Sequence, residues 1–320
     1  MKIARLLALV VAGTFALAAH AQPFPSKPVK VVVPFTPGSA TDIIARALGE
    51  RLQASLGQPI VVENRPGAGG TIGALVVAQA PPDGYTLLVQ SSGHTVNPHI
   101  YTSLGYDTLK DFAAVTPLVT LPNVLIVSPA KGYKTIGELV AAAKAKPGTL
   151  NYASAGTGSA THMNSEKFRA AAGIVAVHVP MKGTPEAITE TIAGRVDWFF
   201  APLISAGPMI KDGKAVALAV GTSRRAANLP DVPTTVEAGV PNSDYTFWIG
   251  LFAPAKTPRE VIDKLQADVV KVMSSPEMKE RLATLGAEAW TMGPTQFDDY
   301  VKLELGANAA IVSGAGIKPN

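Results

Sequence analysis

The sequence reads as an α/β protein made of two lobes, and three observations lead there. Short runs rich in β-branched residues alternate with helical runs, the pattern of parallel strands covered by helices. Two apolar strand-like segments, 123–127 and 247–253, bracket a middle block of domain size and read as the two crossings between lobes. Gly- and hydroxyl-rich loops follow several strands, and open α/β sheets bind ligands outside the carboxyl ends of their strands.

Residues 1–21 have the form of a secretory signal. Lys2 and Arg5 give a positive start, 6–17 is an apolar run too short to span a bilayer, and Ala19-His20-Ala21 is a small-x-small cleavage site. Export with cleavage near Ala21, leaving Gln22 first, is therefore expected. The first lobe is then 22–124 plus 250–320, and the second is 125–249.

Within the first lobe, 29–34 is a buried β-branched strand, and 41–56 a helix with Ile43, Ile44, Ala47, Leu48 and Leu52 on one face. Gly57 stands where a helix C-terminal glycine belongs. A strand at 60–63, a Gly-rich turn at 66–70, a helix at 71–79 and a strand at 85–90 follow. In the second lobe Thr135-x-x-Glu138 is a capping box that opens a helix. Strands are expected at 150–154, 176–179, 196–200 and 215–220, with helices at 159–172 and 184–194. Pro258 and Pro276 begin two further helices in the first lobe.

Composition narrows the function. The chain is 47% hydrophobic and 16% charged, which suits a compact fold rather than disorder. Its net charge of +4 comes from scattered cations without a basic, aromatic-laced stripe, so nucleic acid is not an expected partner. With no Cys there is no disulfide, no thiolate nucleophile and no Cys-held metal.

Three loops carry candidate ligand contacts. The first holds Phe35, Thr36, Gly38, Ser39, Ala40, Thr41 and Asp42, and leads into a helix. Unpaired N–H groups and the helix dipole make such a start an anion site without a cationic side chain. Ser39 and Asp42 also fit a loose capping box. The second, with Ala155, Gly156, Thr157, Gly158, Ser159 and Thr161, repeats this logic; the third is Ser91, Ser92, Gly93 and His94. Ser159 is expected to serve the ligand more than the helix it begins.

Enzyme patterns fail. Ile72 occupies the third glycine position of a dinucleotide fingerprint at 67–73, and Tyr152 breaks a nucleophile elbow around Ser154. His94 and His99 straddle Pro98, His178 lies in an apolar strand, and His162 is the best catalytic candidate but no nucleophile–base pair accompanies it.

The matching stretches occur in order along nearly the whole mature chain. They are Val33-Pro34-Phe35-x-Pro37-Gly38 with Thr41-Asp42 and Arg46; Val62 through Gly70 (VENRPGAGG); and Pro82 through Leu88 (PDGYTLL). Then come Gly156-x-Gly158-Ser159 with His162; His178-Val179-Pro180 with Lys182-Gly183; Pro230 through Thr234 with Glu237-Ala238-Gly239; and Ala253-Pro254 with Thr257-Pro258. In these the chain resembles the substrate-binding proteins of tripartite tricarboxylate transporters, the Bug family. The resemblance implies a type II periplasmic-binding fold that closes over a small carboxylate or dicarboxylate, with no catalysis, no cofactor and no metal site. It implies a protein that serves two membrane subunits of a carrier or, in some relatives, a sensor kinase; with the export signal, a periplasmic monomer is expected. It adds Lys182 and Gly183 to the candidate contacts. Ser39 stands where the family usually has a second glycine, and Met181 where it usually has tyrosine.

Overall fold

The computed structural model describes residues 24–317; the signal segment read at 1–21 lies outside the described residues. The chain runs β1 (Val29–Val33), α1 (Ala40–Leu56), β2 (Ile60–Asn64), α2 (Thr71–Ala78), β3 (Thr86–Ser91), a one-turn α3 (Asn97–Ile100) and β4 (Phe112–Leu121). A second unit follows: β5 (Asn123–Val127), α4 (Ile136–Ala145), β6 (Asn151–Ser154), α5 (Ala160–Ala172), β7 (Val177–Pro180), α6 (Thr184–Ile192), β8 (Trp198–Pro202), α7 (Leu203–Lys211) and β9 (Val216–Val220). The chain then returns through β10 (Phe247–Pro254), α8 (Arg259–Met273), α9 (Pro276–Thr284), β11 (Glu288–Ala289) and α10 (Pro294–Gly314).

These strands form two sheets, ordered β11-β4-β10-β3-β1-β2 and β7-β6-β8-β5-β9. Their central strands are buried on both faces, and the period of two along each strand sorts the side chains. Val31 and Val33 join one core with Ile44, Leu48 and Leu52 of α1, while Val32 joins another with Trp248, Phe252 and Phe297. In the second sheet Leu125 and Val127 pack with Tyr152, Phe168 and Trp198, while Val124 and Ile126 pack with Phe199 and Ala201.

Two expectations need correction. The sheets are mixed rather than parallel. β1 is parallel to β2 and β3, and β6 to β7 and β8. β10 is antiparallel to β3 and β4, and β5 to β8 and β9. The reason is topological: β5 and β10 each arrive from the other sheet, so they start at the end where β1, β3 and β8 finish. For the same reason neither segment is itself a crossing. β5 lies wholly in the second sheet and β10 in the middle of the first; the chain changes sheets at Pro122 and again within 221–246. An all-buried apolar run marks a central strand as readily as a bridging one.

The sequence reading also lacked β4, α7 and α10. Pro117 interrupts the β4 pattern and sits beside a register shift opposite Ile249 and Gly250, a tolerated place for proline in a sheet. In α10 only a sparse set of residues is buried, among them Phe297, Val301 and Val312, so its periodicity is faint.

Candidate functional site

The loops that leave β1 and β6 carry the same tetrapeptide, Gly38-Ser39-Ala40-Thr41 and Gly158-Ser159-Ala160-Thr161, and fold alike. Gly38 has φ 83° and Gly158 φ 80°, values that favour glycine. Ser39 and Ser159, at φ −67° and −68°, are the N-caps of α1 and α5. Each serine N–H closes a turn, to Thr36 O at 3.1 Å and to Gly156 O at 3.0 Å. In each loop the side chain four residues after the glycine accepts its N–H. Gly38 donates to the Asp42 carboxylate at 2.9 Å and Gly158 to His162 Nδ1 at 3.2 Å.

The two hydroxyl sets then diverge. Ser159 Oγ accepts from His162 N at 3.3 Å and lies 3.0 Å from Thr161 Oγ1, which accepts from Ala155 N at 2.9 Å. Ser39 makes no capping bond; Ser39 Oγ and Thr41 Oγ1 are buried without a hydrogen-bond partner. The capping box expected of Ser39 is therefore absent, while the cap belongs to Ser159, whose hydroxyl was expected to serve the ligand.

Asp42 is occupied by its own loop. Arg46 Nε reaches Oδ1 at 3.0 Å, and Asn64 Nδ2 reaches Oδ1 at 2.9 Å and Phe35 O at 3.0 Å. Burial opposes ionisation, but hydrogen bonds from Arg46, Gly38 and Asn64 hold the carboxyl below its ordinary range. Residues 22 apart in sequence thus brace one turn.

Between the loops lies a cavity of about 20 Å3, lined by Phe35, Ser39, Ala40, Thr41, Ser91, Ala155, Ser159, Ala160, Thr161, Thr184, Pro202 and Phe247. That is room for about one water, so a larger molecule must part the lobes to enter. No lining residue is charged. The polar side chains are all hydroxyls, and the first turns of α1 and α5 add backbone N–H groups that lack intrahelical acceptors. The wall is rich in donors and apolar elsewhere. Pro202 and Thr184 are not among the expected contacts, although both lie at strand-to-helix junctions where open sheets place ligand loops; Phe247 lies in a segment whose apolar run reads as a crossing.

Of the candidates, Phe35, Ser39, Ala40, Thr41, Ser91, Ala155, Ser159 and Thr161 line this cavity, and the others do not. Thr36 donates to Glu186 at 3.1 Å, and Ser205 donates to Gly38 O at 3.2 Å, both across the cleft. Gly183 lies so close to Thr36 Oγ1 that a methyl group there would overlap it. Gly156, Thr157 and Gly158 face Gly69 and Gly93 of the first lobe. Lys182 is exposed, and Ser92 is buried 3.1 Å from the Tyr245 hydroxyl. His94 is fully buried among Tyr106, Phe112 and Phe252, with neither ring nitrogen bonded, and burial lowers its pKa to about 3.

Ser154 and His178 do form a hydroxyl–imidazole pair at 2.6 Å. Ser154 is 0% exposed, lies outside the cavity and accepts the N–H of Gly156 at 3.1 Å. Burial and the neighbouring His162 lower the His178 pKa to about 3, which makes it a poor base at neutral pH. The pair supports the loop.

Comparison with known proteins agrees with this architecture. Residues 44–317 match the family model described as tripartite tricarboxylate transporter family receptor. The chain is 38% identical over 299 residues to the UPF0065 protein of the tcbD-tcbE intergenic region in Pseudomonas sp. strain P51, covering 93% of this chain and 89% of that one. It resembles the structure of the periplasmic binding protein BugD, with TM-score 0.89, 33% identity and coverage of 93% and 100%. It also resembles R. palustris Rpa4515 with adipate, with TM-score 0.90, 32% identity and coverage of 93% and 100%. This two-sheet chain is a solute-binding protein and belongs to the tripartite tricarboxylate transporter receptor family.

Proposed function

We propose that the protein captures a small organic carboxylate in the cavity between its loops and presents it to the membrane subunits of a tripartite carrier. One observation carries the reading: Ser39 Oγ and Thr41 Oγ1 are buried and unpartnered at the start of α1, in a wall without charged side chains. An orphaned buried hydroxyl costs about 1–3 kcal/mol, and a carboxylate satisfies two at once. The helix dipole and the first-turn N–H groups add to the same anion site. Adipate on Rpa4515 is consistent with this class of ligand. Hydroxyls and main chain, rather than an Arg or Lys clamp, hold the charge. Thr36, Gly38, Gly93, Gly156, Thr157, Gly158 and Gly183, which touch the opposite lobe outside the cavity, form its rim, whereas Asp42, Ser92 and His94 act from behind the wall. We also propose that the protein works in the periplasm as a monomer after removal of residues 1–21, and that its two lobes hinge near Pro122 and 221–246.

Titration with mono-, di- and tricarboxylates, adipate first, tests this by thermal shift and small-angle scattering. A ligand at about 100 times its Kd raises stability by about 2.7 kcal/mol, and the radius of gyration falls on binding. If no carboxylate stabilises the protein, the reading fails.

A further inference from the structure

The glycine-rich turn at 66–70 has no place in the cavity wall, yet it touches the other lobe. A methyl group on Gly69 would overlap the carbonyl oxygen of Thr157, and one on Gly93 would lie 2.7 Å from the carbonyl oxygen of Gly158. The hydroxyl of Tyr101 donates to Thr157 O at 2.9 Å. Asn97 Nδ2 holds the turn through Gly69 O at 3.4 Å. Three separate pieces of the first lobe therefore converge on two adjacent backbone carbonyls of the second lobe's loop. None of these four residues lines the cavity.

We infer that Gly69, Gly93 and Tyr101 are positioning residues: they form a latch that holds the 156–158 loop when the lobes close. The inference rests on the proposed closure over a ligand. The latch reads only backbone, so its strength does not depend on which ligand is bound. Gly69 has φ 59° and Gly93 carries no side chain because the two main chains meet there. A ligand held in a closed form binds with an apparent affinity scaled by the closed population. Weakening the latch therefore raises every apparent Kd by one common factor.

The chain contains no Cys, so spin labels can be placed cleanly at Ala54→Cys and Ala141→Cys, exposed sites on α1 and α4. Distance distributions by pulsed dipolar spectroscopy are compared in the wild-type, Tyr101→Phe, Gly93→Ala and Gly69→Ala backgrounds, with and without adipate. Each substitution is expected to shift the distribution toward the open form. Tyr101→Phe, which removes one hydroxyl and leaves the fold intact, is expected to raise the Kd of succinate, malate and adipate alike by roughly three- to tenfold. Identical distributions in all four backgrounds overturn the latch, as do Kd changes that differ between ligands. If the wild type binds none of the three acids, the functional reading fails and the distance data without ligand still decide the latch.

Discussion

The imidazoles of His162 and His178 stack with ring centroids 4.0 Å apart, directly beneath the Gly156–Gly158 loop. His162 Nδ1 takes the N–H of Gly158, and His178 Nε2 meets the hydroxyl that takes the N–H of Gly156. Accepting at Nδ1 requires a neutral His162, whereas His178 Nε2 can donate to the Ser154 hydroxyl or accept from it. Burial and Arg169 lower His162 to about 4; burial and His162 lower His178 to about 3.

These shifts set a pH dependence. Free histidine titrates near 6.5, so between about 6.5 and 4 the unfolded chain binds protons that the folded chain refuses, and stability falls as pH falls. His94, at about 3, acts in the same sense. Glu304 and Asp298, raised from their ordinary values by burial, act in the opposite sense. The clean measurement is therefore a difference between variants. Urea unfolding of His162→Gln between pH 6.5 and 5 is expected to show a slope smaller by about one proton than the wild type; an unchanged slope means that His162 is not the group responsible.

Ser39→Ala and Ser159→Ala are expected to separate two roles carried by one tetrapeptide. Ser39 makes no cap, so its loss leaves the melting temperature of the free protein unchanged and weakens carboxylate binding about tenfold. Ser159 caps α5, so its loss costs about 0.5–2 kcal/mol of stability. Calorimetric titration beside denaturant melts reads both, and the reverse pattern would move the anion site to the second lobe.

Asp42→Asn is expected to cost about 1–3 kcal/mol and to weaken binding, because it removes the charge-assisted bonds that brace Gly38 and Phe35 through Arg46 and Asn64. Asn64→Ala should do the same in kind. Full affinity in either variant would show that the loop holds its shape without the brace.

The neutral wall predicts indifference to the nearest cations. Arg65 is paired with Glu63 and Lys182 is exposed. Arg65→Met and Lys182→Met are expected to bind carboxylates within about twofold of wild type, less than the tenfold that 1.4 kcal/mol gives. Abolished binding in either folded variant assigns that cation to the ligand.

The sequence by itself determined most of the local structure and the family of this protein. A β-branched run gave β1, capping residues gave α4 and α9, and Gly-rich strand ends pointed to the loops after β1 and β6. These signals are local, set by torsional preference and by the period of burial. What belongs to contacts between distant residues was out of reach. Whether β5 and β10 bridge the lobes or sit inside sheets depends on their neighbours, since burial on both faces looks the same in either case. Ser39 and Ser159 occupy identical tetrapeptides with nearly identical torsions, yet one hydroxyl is left free and the other is bound. Ala155 N, which bonds Thr161 Oγ1, ties up the second hydroxyl set. Nothing equivalent reaches Ser39 or Thr41. Only the folded chain decides which of two equal sequences keeps its donors, because a hydroxyl bonds whatever the tertiary structure brings within about 3 Å.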